Sequence, residues 1–245
     1  MKRFCLVGVF AALWYGAPVT AEEATAEKLG KLIFADDFNR QEQDEAKEEI
    51  GNGWGTNSKS RAGGHKQADL REGALHIYIH ETADHAVSVR HDAEFRNGAV
   101  QLRFCLENPQ DVLGLNFADL KLKSVHAGHL MKVTVSTRAV DIEDLKTGKM
   151  ELERWKARKA KQPVSEQTRK LLATKRKRFP RKLKVGQWYA LLVEIRNDQV
   201  RVSIDQAKVG EFSAPGFAHE TKRMLRLSVP KQAVVDDLKI FSNDG

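Results

Sequence analysis

From Gly186 to Phe212 the chain reads GQWYALLVEIRNDQVRVSIDQAKVGEF. Apolar and polar residues alternate here with a period of two, the spacing of a strand that buries one face. Trp188 to Ile195 reads as one strand, with Trp188 expected to supply a large buried surface. On the next strand Val200, Val202 and Ile204 face inward while Arg201 and Ser203 face out. Asn197-Asp198 and Asp205-Gln206 turn the chain, and Lys208 to Phe212 forms a third strand. Turns this tight between alternating runs join antiparallel neighbours.

The pattern recurs along the chain. Leu32 to Asn39 is a first strand, followed by the acidic run RQEQDEAKEEIGNGWG, helix or loop, and by a loop from Thr56 to Gln67. Ala74 to His80 places Leu75, Ile77 and Ile79 on one face and His76, Tyr78 and His80 on the other. Further strands are Ala86 to Arg90, Ala99 to Leu106, Val112 to Phe117, Leu130 to Val140, Met224 to Val229 and Val234 to Phe241. Asn97-Gly98 reads as a hairpin turn. Short strands at close spacing with turn residues between them predict an all-β, two-sheet antiparallel sandwich or barrel.

One segment breaks the pattern. Residues 142–184 are poor in β-branched side chains, and Ser165 after Pro163 is placed to cap a helix running to about Arg178. Between Lys146 and Lys184 there are 16 Lys and Arg against 3 Asp and Glu, so this insertion is strongly basic in an otherwise acidic body.

The N-terminus, MKRFCLVGVFAALWYGAPVTA, has a basic start, a short apolar run and small residues at Val19-Thr20-Ala21. It predicts a signal peptide over residues 1–21, a flexible leader over 22–31, and a secreted or periplasmic protein with no membrane span after cleavage. Cys105 is then a lone thiol, and no internal disulfide is expected.

The order of LIFADDFNR, LREGALHIYI, GQWYALLVEIRNDQVRVSIDQAKVGEF and VVDDLKIF resembles the concanavalin A-like jelly roll. The nearest branch includes laminin-G-like domains and the 3-keto-disaccharide hydrolase domain family. The resemblance spans roughly residues 32–241, interrupted by the basic insertion, and implies a sandwich with one concave sheet whose outward side chains meet a ligand. The family has Asp-Gly in its second turn where this chain has Asp205-Gln206. The resemblance also implies a structural Ca²⁺, for which Asp36, Asp37, Asp236 and Asp237 are candidates if the first and last strands pair. Clustered carboxylates suit this hard cation, but one Asp of each pair capping a turn explains them equally.

Other candidates come from the residues themselves. His76, Tyr78 and His80 project from one side of a strand and suit sugar hydroxyls and a pyranose face, with Arg90, Gln101 and Arg103 lining up from neighbouring strands; an ordinary solvated face carries the same residues. His126 and His129 have a metal-like spacing without an obvious third ligand. Lys175, Arg176, Lys177, Arg178, Arg181 and Lys182 form a density of charge that binds polyanions, or else docks on the acidic body. Export makes nucleic acid an unexpected partner.

Laminarinase-type jelly rolls carry an E-x-D-x-E strand, and none is present; Asp141, Glu143 and Asp144 come nearest, and Glu194 stands alone. Catalytic residues are therefore not assigned. The expected function is carbohydrate binding. The alternatives are a glycoside hydrolase of the 3-keto-disaccharide type and a non-catalytic structural or adhesive protein.

Overall fold

The computed structural model describes residues 29–244. The signal-peptide expectation and most of the leader lie outside the described residues. In chain order the strands are β1 (Lys31–Asp36), β2 (Ala68–Arg71), β3 (Ala74–Tyr78), β4 (Val87–Phe95), β5 (Gly98–Cys105), β6 (Val112–Ala118) and β7 (His129–Ser136). They continue as β8 (Ala139–Asp144), β9 (Arg176–Pro180), β10 (Trp188–Arg196), β11 (Gln199–Ile204), β12 (Ala207–Ser213), β13 (Lys222–Val229) and β14 (Gln232–Ser242). Among the described residues, short α-helices are α1 (Ser58–Arg61), α2 (Leu152–Lys159) and α3 (Glu166–Ala173).

Two antiparallel sheets result, as the alternation requires. Sheet I has eight strands in the order β12-β11-β10-β5-β14-β3-β2, with β1 also on β14. Sheet II has six, in the order β4-β13-β6-β7-β8-β9. Their inner faces meet through fully buried side chains such as Phe95, Phe104, Phe117, Leu102, Leu115, Val193, Val202 and Leu227. Each is worth ~1.5–3 kcal/mol of burial. The architecture is a jelly-roll β-sandwich.

Local chemistry explains the bends. At the β11–β12 turn, Asp205 and Gln206 both adopt positive φ, 49° and 65°, so the tight turn forms without glycine. Asp205 Oδ1 accepts a bond from Ala190 N at 2.9 Å, which holds the turn on β10. In β14 the register shifts between Asp236 and Lys239, and Asp237 has φ 47°. This bulge lets the first half of β14 pair with β3 and the second half with β1.

Three expectations about the strands need correction. Asn97-Gly98 does not close a hairpin: β4 pairs with β13 in sheet II, while β5 pairs with β10 and β14 in sheet I, so this short turn crosses between sheets. Trp188 is not a core residue; it is 37% exposed on the outer face, and Tyr189 is buried in its place. Leu130 to Val140 is two strands, β7 and β8.

The basic insertion is not merely looped out. Its first residues, Ile142–Asp144, complete β8, its helix ends at Ala173 rather than near Arg178, and Arg176–Pro180 forms β9, the edge of sheet II. Ser165 does cap α3, accepting from Thr168 N at 3.1 Å. Phe179 anchors β9 by packing over Gly210 of β12, where a side chain would collide with its ring.

Candidate functional site

Pairing in sheet II aligns outward side chains into rows that cross the whole sheet. One row runs Arg90 (β4), Arg226 (β13), Asn116 (β6), Lys132 (β7), Glu143 (β8) and Arg176 (β9). The next runs Ser88, Ser228, Gly114, Thr134, Asp141 and Arg178. At the usual strand separation each row spans about 24 Å. The inward neighbours, Leu113, Leu115, Phe117, Val133, Leu225 and Leu227, are fully buried, so the core fixes the outward faces.

The middle of the first row is closely packed. Asn116 is only 4% exposed. Its Oδ1 lies 2.9 Å from His129 Nδ1. Arg226 Nη2 donates to Ala127 O at 3.0 Å, and its Nη1 lies 3.3 Å from His129 Nδ1. Ala127 has φ 49°, in the tight turn that joins His126 to His129. At this end of the sheet His126 stacks on Trp155 of α2, ring centres 3.7 Å apart and planes 8° from parallel. Glu151 caps α2 by accepting from Glu153 N and Arg154 N.

The electrostatics are one-sided. Burial, then nearby Lys149, lowers the Lys132 pKa, with Glu143 opposing. Burial, then Arg90, lowers that of Arg226. Burial, then Arg226, His126 and Lys132, pushes His129 down to about 3, so the ring is neutral. The two carboxylates of the rows are engaged. Asp141 accepts from Arg176 Nε and Arg178 Nη1, each at 3.0 Å, and Glu143 pairs with Lys149 at 2.8 Å.

The residues singled out from sequence fall in several places. His76 and Tyr78 lie half-buried on the outer face of sheet I, with Arg71 5.9 Å from the Tyr78 ring centre. Arg103 and Gln101 share that face; Arg103 lies 4.9 Å over the Trp188 ring and pairs with Asp236 at 3.1 Å. His80 has left the strand and stacks on His65 at 4.1 Å. Arg90 does not join this group, because β4 belongs to the opposite sheet.

Of the basic set, Arg176 and Arg178 reach the rows. Lys175 lies 3.7 Å from buried Asp144, and Lys177 lies 5.3 Å over the Phe179 ring. Arg181 N and Leu183 N bond backbone carbonyls of the β7–β8 turn, which carries the chain past Lys182 back to the sheet.

The four aspartates do not build a calcium cage. β1 and β14 do pair, bringing Asp36 opposite Leu238. The Asp36 carboxylate is already saturated: it accepts from Arg40 twice, at 2.6 and 2.9 Å, and from Phe38 N, Asn52 and Trp54. Burial alone would raise its pKa; these donors outweigh burial and hold it below the usual value. Asp236 and Asp237 both engage Arg103. Among the described residues no group of three or more His, Cys, Asp or Glu side chains is placed to hold a metal, and His126 and His129 gain no third ligand.

A depression of about 760 Å³ lies elsewhere, between residues 39–45 and the edge of β2. Its central charges are mutually satisfied, Lys66 pairing with both Glu42 and Asp69.

No family model matches the chain, and no curated protein does. Solved structures do. The laminarinase from Rhodothermus marinus is similar with TM-score 0.55 at 12% identity, over 86% of this chain and 97% of that one. An endo-β-galactosidase from Clostridium perfringens that releases GlcNAcα1-4Gal is similar with TM-score 0.57 at 10% identity, over 92% and 64%. A carbohydrate-binding module from Bacillus subtilis is similar with TM-score 0.51 at 11% identity, over 78% and 96%. At these identities the likeness is one of fold, and it confirms the concanavalin A-like jelly roll. No helix among the described residues is long and apolar enough to cross a membrane.

Asn116, Lys132, Arg226 and Trp155 were not singled out from sequence. The available signal was the alternation itself, which already puts Gly114, Asn116 and Ala118 opposite the buried face of β6.

Proposed function

We propose that this chain is an exported carbohydrate-recognition protein whose ligand lies along the outer face of sheet II. The observation that carries the reading is the row Arg90, Arg226, Asn116, Lys132, Glu143, Arg176, an unbroken line of hydrogen-bonding side chains across all six strands. Such a line suits a linear chain of hydroxyl-bearing rings. The fold is shared with proteins described as a carbohydrate-binding module and as glycan-cleaving enzymes.

The rows favour recognition over cleavage. A retaining glycosidase needs two carboxyl groups about 5 Å apart, one of them free to attack. Asp141 and Glu143 instead sit on cations. Cleavage of a 3-keto-disaccharide, implied by the resemblance, finds no unengaged acid in these two rows either.

Affinity electrophoresis of the secreted chain through gels containing different polysaccharides tests the proposal. Retardation by at least one glycan is expected. Ser228→Trp, which fills the second row beside Gly114, is expected to abolish it while leaving the melting temperature within a few degrees. Equal retardation of the variant, or free migration through every gel, overturns the proposal.

A further inference from the structure

The rows contain more positive charge than the protein neutralises. Arg90 and Arg226 stand directly opposite each other on adjacent strands, both pointing outward. Like charges in that position destabilise a sheet. On the far side of Asn116, Lys132 forms no ion pair among the described residues; its nearest polar contact is Ser228 Oγ at 3.5 Å. Arg226 likewise contacts a carbonyl, a thioether and an imidazole but no carboxylate. A half-buried cation without a counter-ion is costly to the fold. Two of them flank a nearly buried amide, that of Asn116.

The structure holds these groups in place. Lys132 extends across Gly114, where any side chain would strike it. Arg226 is fixed by the carbonyl of Ala127 in the turn between the two histidines. Arrangements that confine unneutralised cations serve to receive an anion.

We infer that the glycan carries an anionic substituent, a carboxylate or a sulfate ester, which is held over Asn116 between Arg226 and Lys132. The inference rests on the recognition reading above and names its ligand class. Arg90 lengthens the cationic side of the site toward β4. Arg176 and Arg178, half-neutralised by Asp141, supply a weaker field toward β9.

The test compares three soluble probes by titration calorimetry: a polyuronate, a sulfated galactan and a neutral β-glucan. Lys132→Met and Arg226→Met are compared with a control, Lys161→Gln/Arg169→Gln/Lys170→Gln, that removes charge from the exposed α2–α3 segment. Binding to one or both acidic probes is expected, weakening as salt rises. Lys132→Met and Arg226→Met are each expected to weaken it by about 30-fold, as loss of a desolvated charge contact does. The α2–α3 control should stay within about 3-fold, since exposed charges contribute little. Comparing the two acidic probes tells carboxylate from sulfate.

Equal affinity for neutral and acidic probes overturns the inference. So does acidic binding that falls in the control but not in Lys132→Met. Binding of the neutral probe alone, lost in Ser228→Trp, sinks the anionic inference and leaves recognition standing. Failure of every probe sinks both.

Discussion

Lys132 on β7 lies across the bare Cα of Gly114 on β6. A Cβ at Gly114 would sit 3.0 Å from Lys132 Nζ and 3.1 Å from Ser228 O. The glycine is needed for space, because its backbone is that of an ordinary strand. Gly114→Ala is therefore expected to displace the ammonium and to cost ~1–3 kcal/mol of stability, the usual range for overpacking. Adding Lys132→Ala should recover much of that loss. Urea denaturation of the four proteins in the double-mutant cycle measures the coupling, and additive losses would show that the two residues do not interact.

The neutral ring of His129 has a consequence for acid stability. The folded ring stays neutral down to about pH 3, whereas in the unfolded chain it titrates near 6.5. Between those values the unfolded chain binds the extra proton. The contribution is fully present above pH 6.5 and is lost as pH falls toward 3, by no more than about 5 kcal/mol. His129→Gln should flatten this limb of the stability profile relative to the wild type. Parallel profiles would contradict the assignment.

Much of the fold was legible because alternation marks faces. Val100, Leu102 and Phe104, or Val200, Val202 and Ile204, share a parity and are all buried. Trp188 shows the limit. Its size suggested the core, yet Leu191, Val193 and Ile195 share the parity of Tyr189, and the tyrosine is the buried one.

The site was less legible. A row across sheet II joins Arg90 to Arg226, Asn116 and Lys132, residues far apart in the chain, and periodicity within one strand does not say which strands adjoin. The Asn97-Gly98 turn misled for the same reason. Its local sequence suits a hairpin, but Phe95 and Gly98 belong to different sheets.

Asp36 shows what the first pair of aspartates does. Its side chain is buried at 1% exposure against Arg40, with Asn52 and Trp54 as further donors. Asp36→Ala removes that guanidinium's counter-ion, leaving its Nε bond to Ile50 O, and is expected to cost ~1–3 kcal/mol. Added calcium or EDTA should leave the wild-type melting temperature unchanged. A rise of several degrees with calcium would show that these carboxylates take the ion after all.

Asp141 restrains the two arginines of the edge strand, accepting one bond from each. Asp141→Asn keeps the side chain's shape but removes its charge. Affinity for an acidic glycan should rise, because Arg176 and Arg178 are released, while thermal stability falls as β9 loses its ion pairs. Titration calorimetry and thermal melts follow both effects. Weaker glycan binding in a folded variant would place the ligand elsewhere.

The most direct measurement is competitive amine labelling. Reductive methylation of the protein, with and without a saturating acidic oligosaccharide, is followed peptide by peptide by mass spectrometry. Protection centred on Lys132, with Lys161 and Lys170 still reactive, is the result expected if the ligand lies along the rows of sheet II. Unchanged labelling of Lys132 together with protection of the α2–α3 lysines would contradict that placement.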